Sequence, residues 1–134
     1  MDIIAHSLGT VLVAQVNEDR IDAASAISFK ERMRELGRLP GDPVILDLSR
    51  VAFLDSSGLG AVVAVLKMLA PERRLELSGL TPNVLKVFRL TRMDSIFTLH
   101  EALPHPLPRQ AENLSRSQTD ALPIPLPAVM RDAG

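Results

Sequence analysis

The chain predicts an α/β fold: a mixed, mostly parallel sheet with an N-terminal hairpin, packed by about four helices. Three observations predict it. Apolar runs of strand length alternate with apolar residues at helical spacing along most of residues 10–99. The run Val44 to Leu48, apolar apart from Asp47, suits a strand buried on both faces. Gly and Pro residues at 37–43, at 71 and at 79–82 divide the alternating segments.

The elements follow in order. Ile3 to His6 is a weak strand and Ser7-Leu8-Gly9 a turn, leading into the β-branched strand Thr10 to Val16. Asn17 to Arg20 is a polar loop. Asp22 is placed to cap a helix from about Ala23 to Leu36, whose buried stripe is Ala26, Phe29, Met33 and Leu36. After the strand Val44–Leu48 and a short loop, Leu59, Val62, Val63, Leu66 and Leu69 mark the core face of a second helix, closing before Pro71. Arg74 to Ser78 is a further strand. Thr81 caps the next helix, with Pro82 in its first position and Val84, Val87 and Phe88 inward. Ile96 to Leu99 forms a last short strand, and Glu101-Ala102-Leu103 begins a last helix.

Composition narrows the function. A net charge of −1 offers no electrostatic case for nucleic-acid binding, and four Phe with no Trp or Tyr leave little for base stacking. With no Cys, disulfides and thiol chemistry are excluded. His6, His100 and His105 lack metal-ligand spacing, so no metal or other cofactor is expected. Ser56 lacks a Gly-x-Ser-x-Gly elbow, and Gly58-Leu59-Gly60 is too short for a nucleotide-binding fingerprint, so no enzyme is expected. The start, Met1 to His6, has no basic segment before a long apolar stretch, and no run reaches membrane length. A cytoplasmic protein with no membrane partner is expected. Arg50, Arg73 and Arg74 are read as solvated.

Residues 104–134 differ in character. They hold six of the ten prolines and none of the Phe, including Pro104-His-Pro-Leu-Pro108 and Pro123-Ile-Pro-Leu-Pro127. Such spacing blocks helix and sheet hydrogen bonding. The expected organisation is a domain over 1–103 and a disordered, proline-rich tail over 104–134.

The stretch Asp55-Ser56-Ser57-Gly58-Leu59-Gly60 sits between strand and helix. Three consecutive capping-type side chains there present hydroxyls, free N–H groups and the positive end of a helix dipole, a setting that favours an anion such as phosphate. Most Asp-Ser-Ser helix starts are caps without chemistry. Here, however, the hexapeptide follows Asp47-Leu48-Ser49 and Val51-Ala52-Phe53-Leu54, and the whole resembles the signature of STAS domains, most closely the bacterial anti-sigma factor antagonists. Leu77-Ser78-Gly79-Leu80 and Leu90-Thr91-Arg92-Met93 resemble further segments of the family, and the likeness covers about Ile3 to Leu103. Two residues depart from it. Asp19 stands where Gly is usual, and Arg92 replaces a Gly after the third helix, at about 1 kcal/mol if its backbone is left-handed.

The resemblance implies a switch with no catalysis of its own. The unphosphorylated form binds an anti-sigma factor that is also a serine kinase, which frees a sigma factor. Phosphorylation at Ser56 ends that binding, and a metal-dependent serine phosphatase restores it. Ser57 is the second candidate acceptor, expected instead to cap the helix. Asp22, Asp55, Ser56, Ser57, Gly58 and Leu59 are the implied partner-binding residues, while Asp47 is expected to be structural or to orient the loop. The alternative is a STAS subunit of a lipid-transport ABC system, a constitutive structural partner.

Overall fold

The computed structural model describes residues 1–103. The tail expected at 104–134 lies outside the described residues. Strands β1 (Ile3–Leu8) and β2 (Val11–Val16) pair antiparallel, from Ile3 with Val16 to Leu8 with Val11. Gly9, at φ 63, takes the left-handed turn position between them, so the first strand runs two residues beyond the expected His6.

Two further strands, β3 (Arg20–Ile21) and β5 (Phe53–Leu54), pair parallel in a ribbon of their own. The main sheet adds β4 (Val44–Asp47), β6 (Leu75–Ser78) and β7 (Thr98–His100), all parallel to β2, in the order β1-β2-β4-β6-β7. Their register lines up Leu12, Val44 and Leu75 in one row and Ala14, Leu46 and Leu77 in the next. All six are buried and belong to one core.

Three helices join the strands: α1 (Ala26–Leu36), α2 (Ser56–Leu69) and α3 (Pro82–Leu90). Helix α1 buries the expected stripe of Ala26, Phe29, Met33 and Leu36. It starts three residues later than expected, because Asp22 does not cap it. The Asp22 carboxylate accepts from Ala24 N at 3.1 Å, Ser25 N at 3.2 Å and the Ser25 hydroxyl at 3.1 Å, closing a turn before the helix. Helix α2 is also turned from the expected face: Leu59, Ala61, Val62, Val65 and Leu69 are buried, whereas Val63 and Leu66 are only half-buried.

Smaller corrections have equally local causes. Thr81 precedes α3, but its hydroxyl donates to Val51 O at 2.7 Å and caps nothing. Arg73 is not simply solvated. Its guanidinium donates to the carbonyls of Gly37, Leu39 (2.6 Å) and Gly41 (3.3 Å), satisfying the chain that leaves α1. Arg92 is left-handed at φ 62, as its position required, and starts a short 3-10 turn over Met93–Ser95. That turn takes up the residues before β7, so the last strand begins at Thr98 and not at Ile96. Phe97 packs edge-on against Phe88, with ring centroids 5.7 Å apart. The helix expected from Glu101 does not form among the described residues, which leaves three helices. No helix among them is long and apolar enough to cross a membrane.

The burial pattern gives a direct stability test. Leu77 is fully buried in the central core, so Leu77→Ala should cost about 2–5 kcal/mol in urea unfolding. Leu66 only leans on that core, and Leu66→Ala should cost no more than about 2 kcal/mol. Equal losses would place Leu66 on the core face of α2.

Candidate functional site: the start of helix α2

The site is assembled by one carboxylate. Asp55 leaves β5 in an extended conformation (φ −98, ψ −174) and occupies the capping position of α2. Its Oδ1 accepts from Gly58 N at 2.9 Å, satisfying one of the free amides of the first turn. Its Oδ2 accepts from Ala23 N at 3.2 Å, across a sequence separation of 32 residues. Asp55 N donates in turn to Ile21 O at 3.4 Å, continuing the β3–β5 ribbon. Three segments therefore meet at Asp55: the end of β3, the turn that Asp22 closes, and the start of α2.

This geometry reassigns the expected cap from Ser57 to Asp55. Ser56 and Ser57 occupy the first two helical positions, and both are exposed. Neither hydroxyl has a hydrogen-bond partner among the described residues, so neither holds the fold together. One turn further on, each has one buried and one exposed neighbour: Leu59 and Gly60 for Ser56, Gly60 and Ala61 for Ser57. What sets Ser56 apart is its place directly after the capping carboxylate.

Gly58 is needed for contact. A Cβ there would lie 2.1 Å from Ile21 O, so any side chain would push the helix start off β3. Leu59 is buried in the core. Of the residues implied to bind a partner, Asp22, Asp55, Ser56 and Ser57 gather on the surface, while Gly58 and Leu59 lie beneath and position them.

Asp47, nearly buried at the end of β4, accepts from Ser49 N at 3.0 Å, and Gly79, at φ 73, packs closely over Ser49. Asp47 shapes the turn after β4 and makes no hydrogen bond to residues 55–58. His100 Nε2 lies 2.8 Å from Glu76 Oε1, away from this site. No group of three or more acidic, His or Cys side chains suited to a metal occurs among the described residues.

Sequence reasoning missed two parts of the site. The Ala23 amide is a backbone group, which residue identity cannot advertise. The pair Arg20 and Phe53 lies on the ribbon, with the guanidinium 5.5 Å from the ring centroid. Its only signal was the alternation of buried Leu54 with exposed Phe53, too short to read as a strand.

A capped strand–helix junction on a sheet of this order defines a class of domain. The chain belongs to the STAS domain family, whose model matches residues 2–104. It is similar to the anti-sigma-B factor antagonists of Listeria monocytogenes and Listeria innocua, each 31% identical over 80 residues, or 59% of this chain and 70% of theirs. An anti-sigma factor antagonist from Mycobacterium paratuberculosis shares the fold at a TM-score of 0.68 and 24% identity, covering 76% of this chain and 86% of that one. The Bacillus protein SpoIIAA shares it in both its unphosphorylated and phosphorylated forms, at TM-scores of 0.59 and 0.54. Identities are 20% and 19% over 73% of this chain, and 87% and 90% of the respective SpoIIAA chains are covered.

The two glycines of the site should respond to alanine in opposite directions. Gly60→Ala meets open space and should stabilise the chain by up to about 1 kcal/mol, the helical advantage of Ala over Gly. Gly58→Ala should cost about 1–3 kcal/mol, the range for overpacking. Thermal unfolding measures both, and a harmless Gly58→Ala would contradict the close approach of α2 to β3.

Proposed function

We propose that the chain is a phosphorylation-controlled anti-sigma factor antagonist with Ser56 as its switch. Unphosphorylated, it binds an anti-sigma factor that is also a serine kinase and so releases a sigma factor. Phosphate on Ser56 ends the binding, and a metal-dependent serine phosphatase removes it. The chain is substrate and switch, without catalysis of its own, and acts in the cytoplasm. Residues 1–103 carry the switch, and the tail 104–134 is dispensable for folding.

The observation that carries this reading is the exposed Ser56 hydroxyl, free of structural duty, directly after a capping carboxylate. The names of the Listeria relatives and the two forms of SpoIIAA support the partner class and the mode of control. The physics is consistent with both halves of a switch. A phosphoserine brings about −1.5 to −2 charges, which the positive end of a helix tolerates, so the free domain keeps its fold. At a packed interface the same group must be dehydrated beside the Asp55 carboxylate. That penalty reaches several kcal/mol, and 2.8 kcal/mol already corresponds to about a hundredfold in affinity.

Phosphosite mapping after incubation with the kinase and ATP tests the assignment. Phosphate is expected on Ser56. Ser56→Ala should bind the anti-sigma factor and resist labelling, while Ser56→Asp mimics the charge only partly. Ser57→Ala should be labelled like the parent and, since Ser57 caps nothing, stay within about 0.5 kcal/mol of its stability. Phosphate on Ser57, with Ser56→Ala labelled as efficiently as the parent, would sink the assignment.

A further inference from the structure

We propose that Phe53, with Arg20 stacked on its ring, is the apolar anchor of the partner interface, and that the partner supplies an apolar recess rimmed by basic side chains. This rests on the function proposed above and names the chemistry of the surface that the anti-sigma factor must present.

Strand alternation puts Phe53 outside. On the β3–β5 ribbon, Ile21 and Leu54 are buried in the core, so Arg20 and Phe53, paired in register, face solvent. Of the four Phe in the sequence, the other three are no more than 7% exposed, whereas Phe53 is 46% exposed. It is three residues from Ser56, so a partner covering the start of α2 meets the ring as well.

The backbone that carries the ring is also held in place, and the ring has a stacking partner. Asp19 O accepts from both Ala52 N (2.7 Å) and Phe53 N (3.2 Å). The Arg20 guanidinium over the ring is itself set between Asp19 and Asp22, at 3.7 and 3.8 Å. An aromatic side chain ordered before binding loses little conformational freedom on binding. Aromatic residues and Arg are also the types that dominate interface energies.

Charge identifies the partner's rim. Asp19 and Asp22 flank the one guanidinium, and Asp55 adds a third carboxylate at the neighbouring Ala23 amide, so the surround is negative and its complement is basic. The acidic surround selects the partner, while a phosphate on Ser56 blocks the contact through its volume and hydration at the helix start.

The test uses the full chain and the purified anti-sigma factor whose kinase activity labels Ser56, with affinity measured by titration calorimetry. Phe53→Ala should weaken binding about thirtyfold or more, the scale of a truncated hot spot, with its thermal midpoint unchanged. Phe53→Leu repeats the measurement with a larger side chain should the alanine variant unfold early. Leu90→Ala, at the most exposed of the large hydrophobic residues described, should bind like the parent. Affinity of the parent should fall as salt rises. Binding of both Phe53 variants within threefold of the parent would remove the anchor while leaving the switch intact, and affinity indifferent to salt would remove the basic rim. Failure of the unphosphorylated parent to bind any anti-sigma factor would overturn the proposed function and the anchor with it.

Discussion

The double acceptance by Asp55 is the interaction on which the rest of the site depends. One oxygen closes the first turn of α2 and the other reaches the Ala23 amide, joining chain segments 32 residues apart. Hydrogen bonds to a charged acceptor are the stronger kind, and a helix cap alone is worth about 0.5–2 kcal/mol. The bridge fixes the angle at which α2 leaves β5. It thereby brings Gly58 so close to Ile21 O that no other residue fits. With the helix pinned from below, its first two side chains can point only outward.

That arrangement separates structure from signal. The groups that hold the junction are a half-buried carboxylate, backbone amides and a buried, bare glycine. The groups open to modification are two hydroxyls that hold nothing among the described residues. Under the proposed function, a phosphate on Ser56 changes the exposed helix start and leaves the core of Leu46, Val62 and Leu77 undisturbed. The same logic extends along the ribbon, where the inward residues Ile21 and Leu54 anchor it and the outward pair Arg20 and Phe53 holds the place proposed for the partner contact.

Much of the fold was legible because its main elements obey strong periodicities. The buried strands β2, β4 and β6 and the stripe of α1 follow directly from runs and spacing. The phase of α2 did not, because its sequence is apolar nearly all round. Val62, Val63, Val65 and Leu66 compete for the core, and only packing against the sheet decides in favour of Val62 and Val65. Strands β3 and β5 are two residues each, too short to show a period. Among three adjacent candidates the cap was expected at Ser57, and the extended backbone at Asp55 moves it there. Asp22 and Thr81 both look like caps and bond elsewhere, Asp22 to its own turn and Thr81 to Val51 O, contacts that depend on the tertiary fold. The hexapeptide marked the site's place in the chain, but not the Ala23 amide or the Phe53 ring beside it.

Amide hydrogen exchange resolved by NMR, comparing the parent with Asp55→Ala, tests the central claim most directly. If one carboxylate holds both segments, the Gly58 and Ala23 amides lose protection together, while amides of β4 and β6 keep theirs. Loss at Gly58 with Ala23 unchanged would contradict the account, since Asp55 would then be an ordinary helix cap and something else would hold the β3–α1 turn against the start of α2.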